Sequence, residues 1–182
     1  MKNFAVNVDD KEYWISRSIA TCGFIFKKVN DIIYCLVEKR GKGAADFHDH
    51  WCVPCGYLDY NENLHECIKR EVKEETGFIC DINKLKMVGV NSSPKENRQN
   101  VTIHFMYEAN INENFNPSLC VGGEKDEVAL ITWLPVAYID ANNEIKVNDE
   151  IFKDKWAFNH DVRIKNYIKY YGKEKVFEEN IV

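Results

Sequence analysis

The chain has no apolar run long enough to cross a bilayer as a helix, so no membrane partner is expected. Its first residues, Met1-Lys2-Asn3-Phe4-Ala5-Val6, are too polar and broken for a secretory signal. Both absences favour the cytoplasm. There is no internal repeat and no low-complexity linker. At 182 residues the chain fits a single domain over 1–182, long enough to bury a core. Positive charge is not in excess either, since 24 Lys and Arg face 29 Asp and Glu for a formal net charge of -5. An acidic chain gains no general attraction to a nucleic-acid backbone, so none is expected to bind. A small polyphosphate stays compatible if bound cations reverse the local field.

A cysteine-based metal centre is also short of parts. The seven cysteines are scattered, and Cys52-Val53-Pro54-Cys55 is the one suggestive pair. A zinc site would need two further ligands at suitable spacing, and no second pair supplies them. Cys22 and Cys35 lie in apolar runs, where a free thiol behaves as a small hydrophobe.

What the chain does have is an ordinary globular balance, 45% hydrophobic and 29% charged. Apolar runs at 19–26 and 32–37 flank Asn30-Asp31, which reads as a hairpin. A polar loop from Gly41 to about Asp49 follows, then Trp51-Cys52-Val53-Pro54 leading into Gly56. A helical pattern over about 62–76 stops at Gly77, where a left-handed cap is easily adopted. Leu85–Val90 reads as a short strand. Val101, Ile103, Phe105 and Tyr107 alternate with Thr102, His104 and Met106 as in a half-buried strand. Val128–Leu134 reads as a strand that Pro135 breaks, and 158–171 as a helix packed on a sheet. The irregular mixture points to an α/β sandwich with a mixed sheet rather than a doubly wound one.

The helix carries the chemistry. With Arg70 at zero on a wheel of about 100° per residue, Glu71, Glu74 and Glu75 fall within one arc of roughly 100°. Leu64, Cys67, Ile68 and Val72 share or border that arc, whereas Lys69, Lys73 and His65 take the opposite, solvent side. A solvated acidic face would set the acids opposite the apolar stripe. Three neighbouring carboxylates repel, the more so when partly buried, and they crowd the helix end whose dipole disfavours negative charge. A hard divalent cation with oxygen ligands removes all three objections, which makes Glu71, Glu74 and Glu75 candidate metal ligands. Arg70 could pair with Glu74 four residues on or hold Glu62 in place, and the sequence permits both.

Gly56, Glu62 and Arg70-Glu71-Val72-Lys73-Glu74-Glu75-Thr76-Gly77-Phe78 stand at the spacing Gly-x5-Glu-x7-Arg-Glu-U-x-Glu-Glu-x-Gly-U, where U is bulky and apolar. This segment resembles the Nudix box, with every fixed position present. Phe78 replaces the commoner aliphatic residue, and Cys55 stands where many members have a second glycine. The resemblance implies the Nudix fold, a mixed sheet between helices. It also implies that Glu71, Glu74 and Glu75 bind one or more Mg²⁺ or Mn²⁺ ions, which neutralise a diphosphate, polarise phosphorus and make an attacking water more acidic. Gly56, Glu62, Arg70 and Gly77 would shape the box. Family members place the general base variably, and the later candidates here are Glu124, Asp126 and Glu127. Glu127 leads because it borders strand 128–134.

Arg40 and Arg98 are candidate phosphate contacts through their planar forks, each weighed against a solvated cation. Phe47, Trp51 or Tyr57 could stack on a base, although core packing suits Trp51 better. His48-Asp49-His50 reads as a polar loop, because neighbours on an extended chain point apart and no further ligands accompany them. His160 is expected to help cap the last helix, a job that Asn159 or Asp161 could share. The leading expectation is a metal-dependent pyrophosphohydrolase acting on a small nucleotide-type substrate: ADP-ribose-like, a nucleotide sugar or a nucleoside triphosphate. A ligand-sensing module without catalysis and an enzyme similar to isopentenyl diphosphate isomerase, using Cys52 or Cys55, are the alternatives. A homodimer stays open.

Overall fold

A computed structural model describes residues 3–96, 99–110, 115–116 and 126–173. Its main sheet has eight strands: β3 (Ser18–Val29), β4 (Ile32–Arg40), β5 (Trp51–Cys52), β6 (Cys55–Tyr57), β7 (Lys86–Asn91), β8 (Asn100–Ala109), β9 (Val128–Ile139) and β10 (Ile145–Val147). The order along the sheet is β10-β9-β4-β3-β8-β7, with β5 beside β4 and β6 beside β3. The β3–β8 pair is parallel and the others are antiparallel, so the sheet is mixed as expected. The Asn30-Asp31 turn joins β3 to β4, with Asn30 at φ 54°.

Helix α1 (Leu64–Thr76) covers one face and α2 (His160–Ile168) the other. On the α1 side, Ile68 and Val72 pack with Ile25, Leu36, Ile103, Phe105 and Tyr107. On the α2 side, Ile164, Tyr167 and Ile168 pack with Phe24, Phe26, Val37 and Met106. This two-sided cover corrects the half-buried expectation for β8. Ile103 to Tyr107 are buried in succession, because β8 lies between two strands and under both helices. His65 also departs from expectation, since its ring lies 4.8 Å from that of Phe105 rather than facing solvent.

Pro135 does not end the strand. β9 runs through to Ile139, and its pairing with β4 shifts register between Ile33 and Tyr34, where Tyr34 meets Pro135. A bulge accommodates a residue that cannot donate to the ladder. The helix boundaries are also sharper than the pattern suggested. Glu62 lies before α1, and Asn63 caps it, accepting from the His65 and Glu66 amides while Glu66 accepts from the Asn63 amide at 2.8 Å. That reciprocal box satisfies amides a helix start otherwise leaves orphaned. Gly77 takes φ 71° and donates to the Lys73 carbonyl at 2.8 Å, the left-handed cap read from the sequence.

The N-terminal hairpin and the short β10 escaped the sequence reading. β1 (Phe4–Val8) and β2 (Lys11–Ile15) form a separate antiparallel hairpin whose Asp9-Asp10 turn has positive φ at both residues. Its side chains are largely exposed, so no core-facing pattern marked it.

Gly23 lets α1 approach the sheet. A Cβ there would lie 2.9 Å from Val72 Cγ2 and 3.0 Å from Ile68 Cδ1. Gly23→Leu is expected to lower stability by about 1–3 kcal/mol through overpacking, read from a urea unfolding curve. An unchanged midpoint would refute this close seating.

Candidate active site

The cleft begins where the two central strands part. β3 pairs with β4 only over Phe26–Val29, and its earlier half turns to β6. The later part of β4 pairs instead with β5 at Glu38 and Lys39. The opening lies beside the C-terminal half of α1 and has a volume of about 1260 Å³. Among the residues lining it are Arg40, Gly56, Arg70, Glu71, Glu74, Glu75 and Glu127.

Arg70 organises the near wall. Its Nε and one terminal nitrogen grip Glu62 at 3.0 and 2.7 Å, and that terminal nitrogen also donates to the Tyr57 carbonyl at 3.0 Å. The other terminal nitrogen reaches Glu71 at 2.8 Å and Glu74 at 3.0 Å. Both pairings that the sequence left open are therefore made. The Arg70 hydrogen bonds pull Glu62 down to about 2, so Glu62 is a fixed anion tying the loop to the helix. Glu71 rests against the strand opposite, where a Cβ at position 56 would collide with its carboxyl group. Only glycine leaves that room. Glu75 accepts from the Cys55 amide at 2.8 Å.

The three helix glutamates do not share one environment. Glu74 has a half-exposed side chain, whereas Glu71 and Glu75 turn inward. Burial raises the proton affinity of Glu71, against the pull of Arg70. It raises that of Glu75 much further, and the neighbouring Glu38 and Glu71 charges add to the effect.

The NUDIX domain model matches residues 17–155, a span containing all of these elements. The chain belongs to the Nudix family. Membership makes it a Nudix hydrolase, acting on phosphoanhydride bonds. An ADP-ribose pyrophosphatase of Methanocaldococcus jannaschii is 26% identical over 164 residues, covering 89% of this chain and 80% of that protein. The fold is similar to the NUDIX domain of Shewanella oneidensis NrtR complexed with ADP ribose, with TM-score 0.66, 15% identity, and coverage of 86% of this chain and 90% of that one. It is also similar to a bifunctional NMN adenylyltransferase/ADP ribose pyrophosphatase from Francisella tularensis complexed with AMP and Mn ion. There the TM-score is 0.57 and the identity 19%, with 86% of this chain and 42% of that one covered.

This Nudix hydrolase places its other candidate residues unevenly. Arg40 lines the cleft, bound to the Asp46 carbonyl at 3.0 Å and its carboxylate at 3.2 Å, and lies over the Phe158 ring at 5.2 Å. Glu127 lines the cleft while its carbonyl accepts from Gly41 at 2.6 Å; Asp126 is exposed beside it. Arg98 and Glu124 lie outside the described residues. Phe47 lines the cleft against Phe158, with ring centroids 4.9 Å apart, and Tyr57 is half exposed at its rim. Trp51 is core. His48 and His50 bond to main-chain carbonyls within their own loop, as a polar loop should. His160 is a correction: α2 has no side-chain cap, and the His160 Nδ1 instead accepts from the Val53 amide at 3.1 Å, inside the protein.

Glu38 was missed. It is 1% exposed, its Oε1 accepts from the Cys52 thiol at 3.3 Å, and its Oε2 is buried with no partner. Period-two counting along β4 places Glu38 on the face of Leu36, under α1, and that signal was in the sequence. A buried orphan oxygen beside two inward glutamates suits a divalent cation with oxygen ligands. The space that Gly56 leaves beside Glu71 fits the same role.

Burial, reinforced by the Glu127 and Glu71 charges, pushes Glu38 up to about 7. A carboxyl raised on folding contributes stability below its unfolded value and loses it as pH climbs through the folded one. In chelator, the urea midpoint is therefore expected to fall between about pH 4.5 and 7, and Glu38→Gln should flatten that fall. An equally steep profile in the variant would remove Glu38 as its source.

Proposed function

We propose that this Nudix hydrolase cleaves the diphosphate of a nucleoside diphosphate linked to another group, of the ADP-ribose kind, with Glu71, Glu74 and Glu75 holding Mg²⁺ or Mn²⁺. The observation that carries the reading is the crowding of Glu71 and Glu75 on the cleft wall with the buried Glu38 charge acting on both, an arrangement that a divalent cation relieves. A bound divalent ion would neutralise the diphosphate and acidify an attacking water.

The chain's own groups do the rest. Arg70 and Glu62 hold the helix and loop in register, with Gly56 and Gly77 giving the backbone its close approach and its cap. Glu75 is steered by the Cys55 amide. Arg40, already oriented by Asp46, is positioned to clamp a phosphate. Glu127, which lines the same cleft as the helix acids, is the proposed base or auxiliary ligand, and Arg98 a proposed second phosphate contact. The cleft volume of about 1260 Å³ exceeds what a drug-sized ligand fills and admits a two-part nucleotide. The ADP-ribose pyrophosphatase similar to this chain over 80% of its own length supports that substrate class. Among the described residues, Cys22, Cys35, Cys52, Cys55 and Cys67 are free thiols, which supports a reducing, cytoplasmic setting. Among the described residues no helix is long and apolar enough to cross a membrane.

A second reading, binding without turnover, draws on the similarity to the NrtR domain complexed with ADP ribose. The isomerase-like alternative loses Cys52, whose fully buried thiol faces Glu38 and not the cleft. The deciding experiment is a phosphatase-coupled phosphate-release screen of ADP-ribose, nucleotide sugars and nucleoside triphosphates with Mg²⁺, with Mn²⁺ and with chelator. Turnover of ADP-ribose that chelator abolishes is expected. Glu75→Gln should lower it by roughly 100-fold or more, beyond the usual loss from an outer-shell partner, with its melting curve retained. Near-native turnover in that variant would defeat the assignment of Glu75. No turnover across the panel, with ADP-ribose still raising the melting temperature, would select the binding module.

A further inference from the structure

The inner wall of the cleft carries a second cluster that hydrolysis leaves unused. Cys22 on β3, Cys55 on β6 and His160 at the start of α2 bring two sulfurs and a ring nitrogen within 4.8 Å of one another. Cys22 and Cys55 are direct cross-strand partners. Flanking ladder bonds run from the Gly23 amide to Pro54 and from the Leu58 amide to Ile19, while the Cys55 amide points away to Glu75. Alternation along an antiparallel pair therefore puts Cys22 and Cys55 at a non-hydrogen-bonded position. Cα atoms there lie about 4.5 Å apart, within the roughly 4.4–6.8 Å that disulfides span. Both residues line the cleft, and Cys55 is the more exposed.

A soft metal does not suit the trio. His160 Nδ1 already accepts the Val53 amide, so the neutral ring carries its proton on Nε2. Metal-ligating histidines do the reverse, donating through the nitrogen that does not bind the metal. Nor does the Cys52–Cys55 spacing make the redox pair, because the Cys52 thiol donates to Glu38.

We propose that Cys22 and Cys55 form a reversible disulfide that turns the enzyme down under oxidising conditions. With hydrogen peroxide as oxidant, the Cys55 sulfur attacks one peroxide oxygen and the O–O bond breaks, giving a sulfenic acid and one water. The Cys22 sulfur then attacks the Cys55 sulfur, the S–O bond breaks and a second water leaves. Two thiols and one peroxide thus yield one disulfide and two waters. Bond formation draws Cys55 toward β3, and the amide that holds Glu75 moves with it. The cross-link does not depend on the proposed hydrolysis; its effect on turnover does.

The test treats the full chain with peroxide, then with dithiothreitol, and follows intact mass, a peptide map and turnover. The expected result is a loss of roughly 2 Da from a two-electron oxidation, mapped to Cys22–Cys55. Turnover should fall by about 10-fold or more, the scale of losing an outer-shell partner, and return on reduction. Cys22→Ser and Cys55→Ala should each lack the cross-link while keeping a cooperative melt. A Cys52–Cys55 link, separate sulfinic acids, or one equivalent of Zn²⁺ shielding both thiols would overturn the pair. A mapped link with undiminished turnover would overturn its coupling to Glu75. If the reduced protein hydrolyses nothing, the map still decides the pair, and coupling is read from the ADP-ribose-induced rise in melting temperature.

Discussion

Glu71 and Glu75 line the cleft and the buried Glu38 interacts with both where solvent screens them poorly, and the local architecture answers their mutual repulsion. Arg70 answers part of it, reaching Glu62, Glu71 and Glu74 with one guanidinium. A main-chain amide answers another part by donating to Glu75. What is left is the unpartnered oxygen of Glu38 and two carboxyls with raised proton affinity. Buried polar atoms without partners are costly and uncommon in native proteins, and here the cost falls beside the proposed metal ligands.

The fold supplies this arrangement by bringing main chain and helix unusually close. Gly23 and Gly56 lie on the paired strands β3 and β6, and each leaves space that a helix side chain enters: Val72 and Ile68 at the first, Glu71 at the second. The parting of β3 from β4 then opens the sheet beside the helix end, so that Glu38 on a strand and Glu75 on a helix come to interact. The same parting sets Cys22 opposite Cys55 on the cleft wall. Carboxylates and thiols are thus joined through one residue, Cys55, whose side chain belongs to the thiol pair and whose amide belongs to Glu75.

The limits of reading by pattern show in particular residues. Pro135 signalled a break, and the strand continued because a bulge in β9 at Val136 absorbed the missing donor. Strand β8 alternated in chemistry but not in exposure, because its second face is covered by a helix distant in sequence. His160 resembled a capping residue and proved to be an internal acceptor for Val53, more than a hundred residues earlier. The Asp9-Asp10 hairpin gave little signal, since neither of its faces is buried.

The sequence alone determined what depends on short-range periodicity: helix α1 and its glycine cap, the hairpin of β3 and β4, the bearing of Glu71, Glu74 and Glu75 on the helix, and the Nudix spacing from Gly56 to Gly77. Those features repeat every two or 3.6 residues, or sit at fixed offsets within one turn. Tertiary structure decided the rest: which acids are buried, that Glu38 joins them, that Arg70 serves Glu62 and Glu74 together, and which cysteine faces Cys55. Each of these depends on the distance and the solvent between groups far apart in the chain. Burial and electrostatic coupling are properties of that separation in space, which no local pattern encodes.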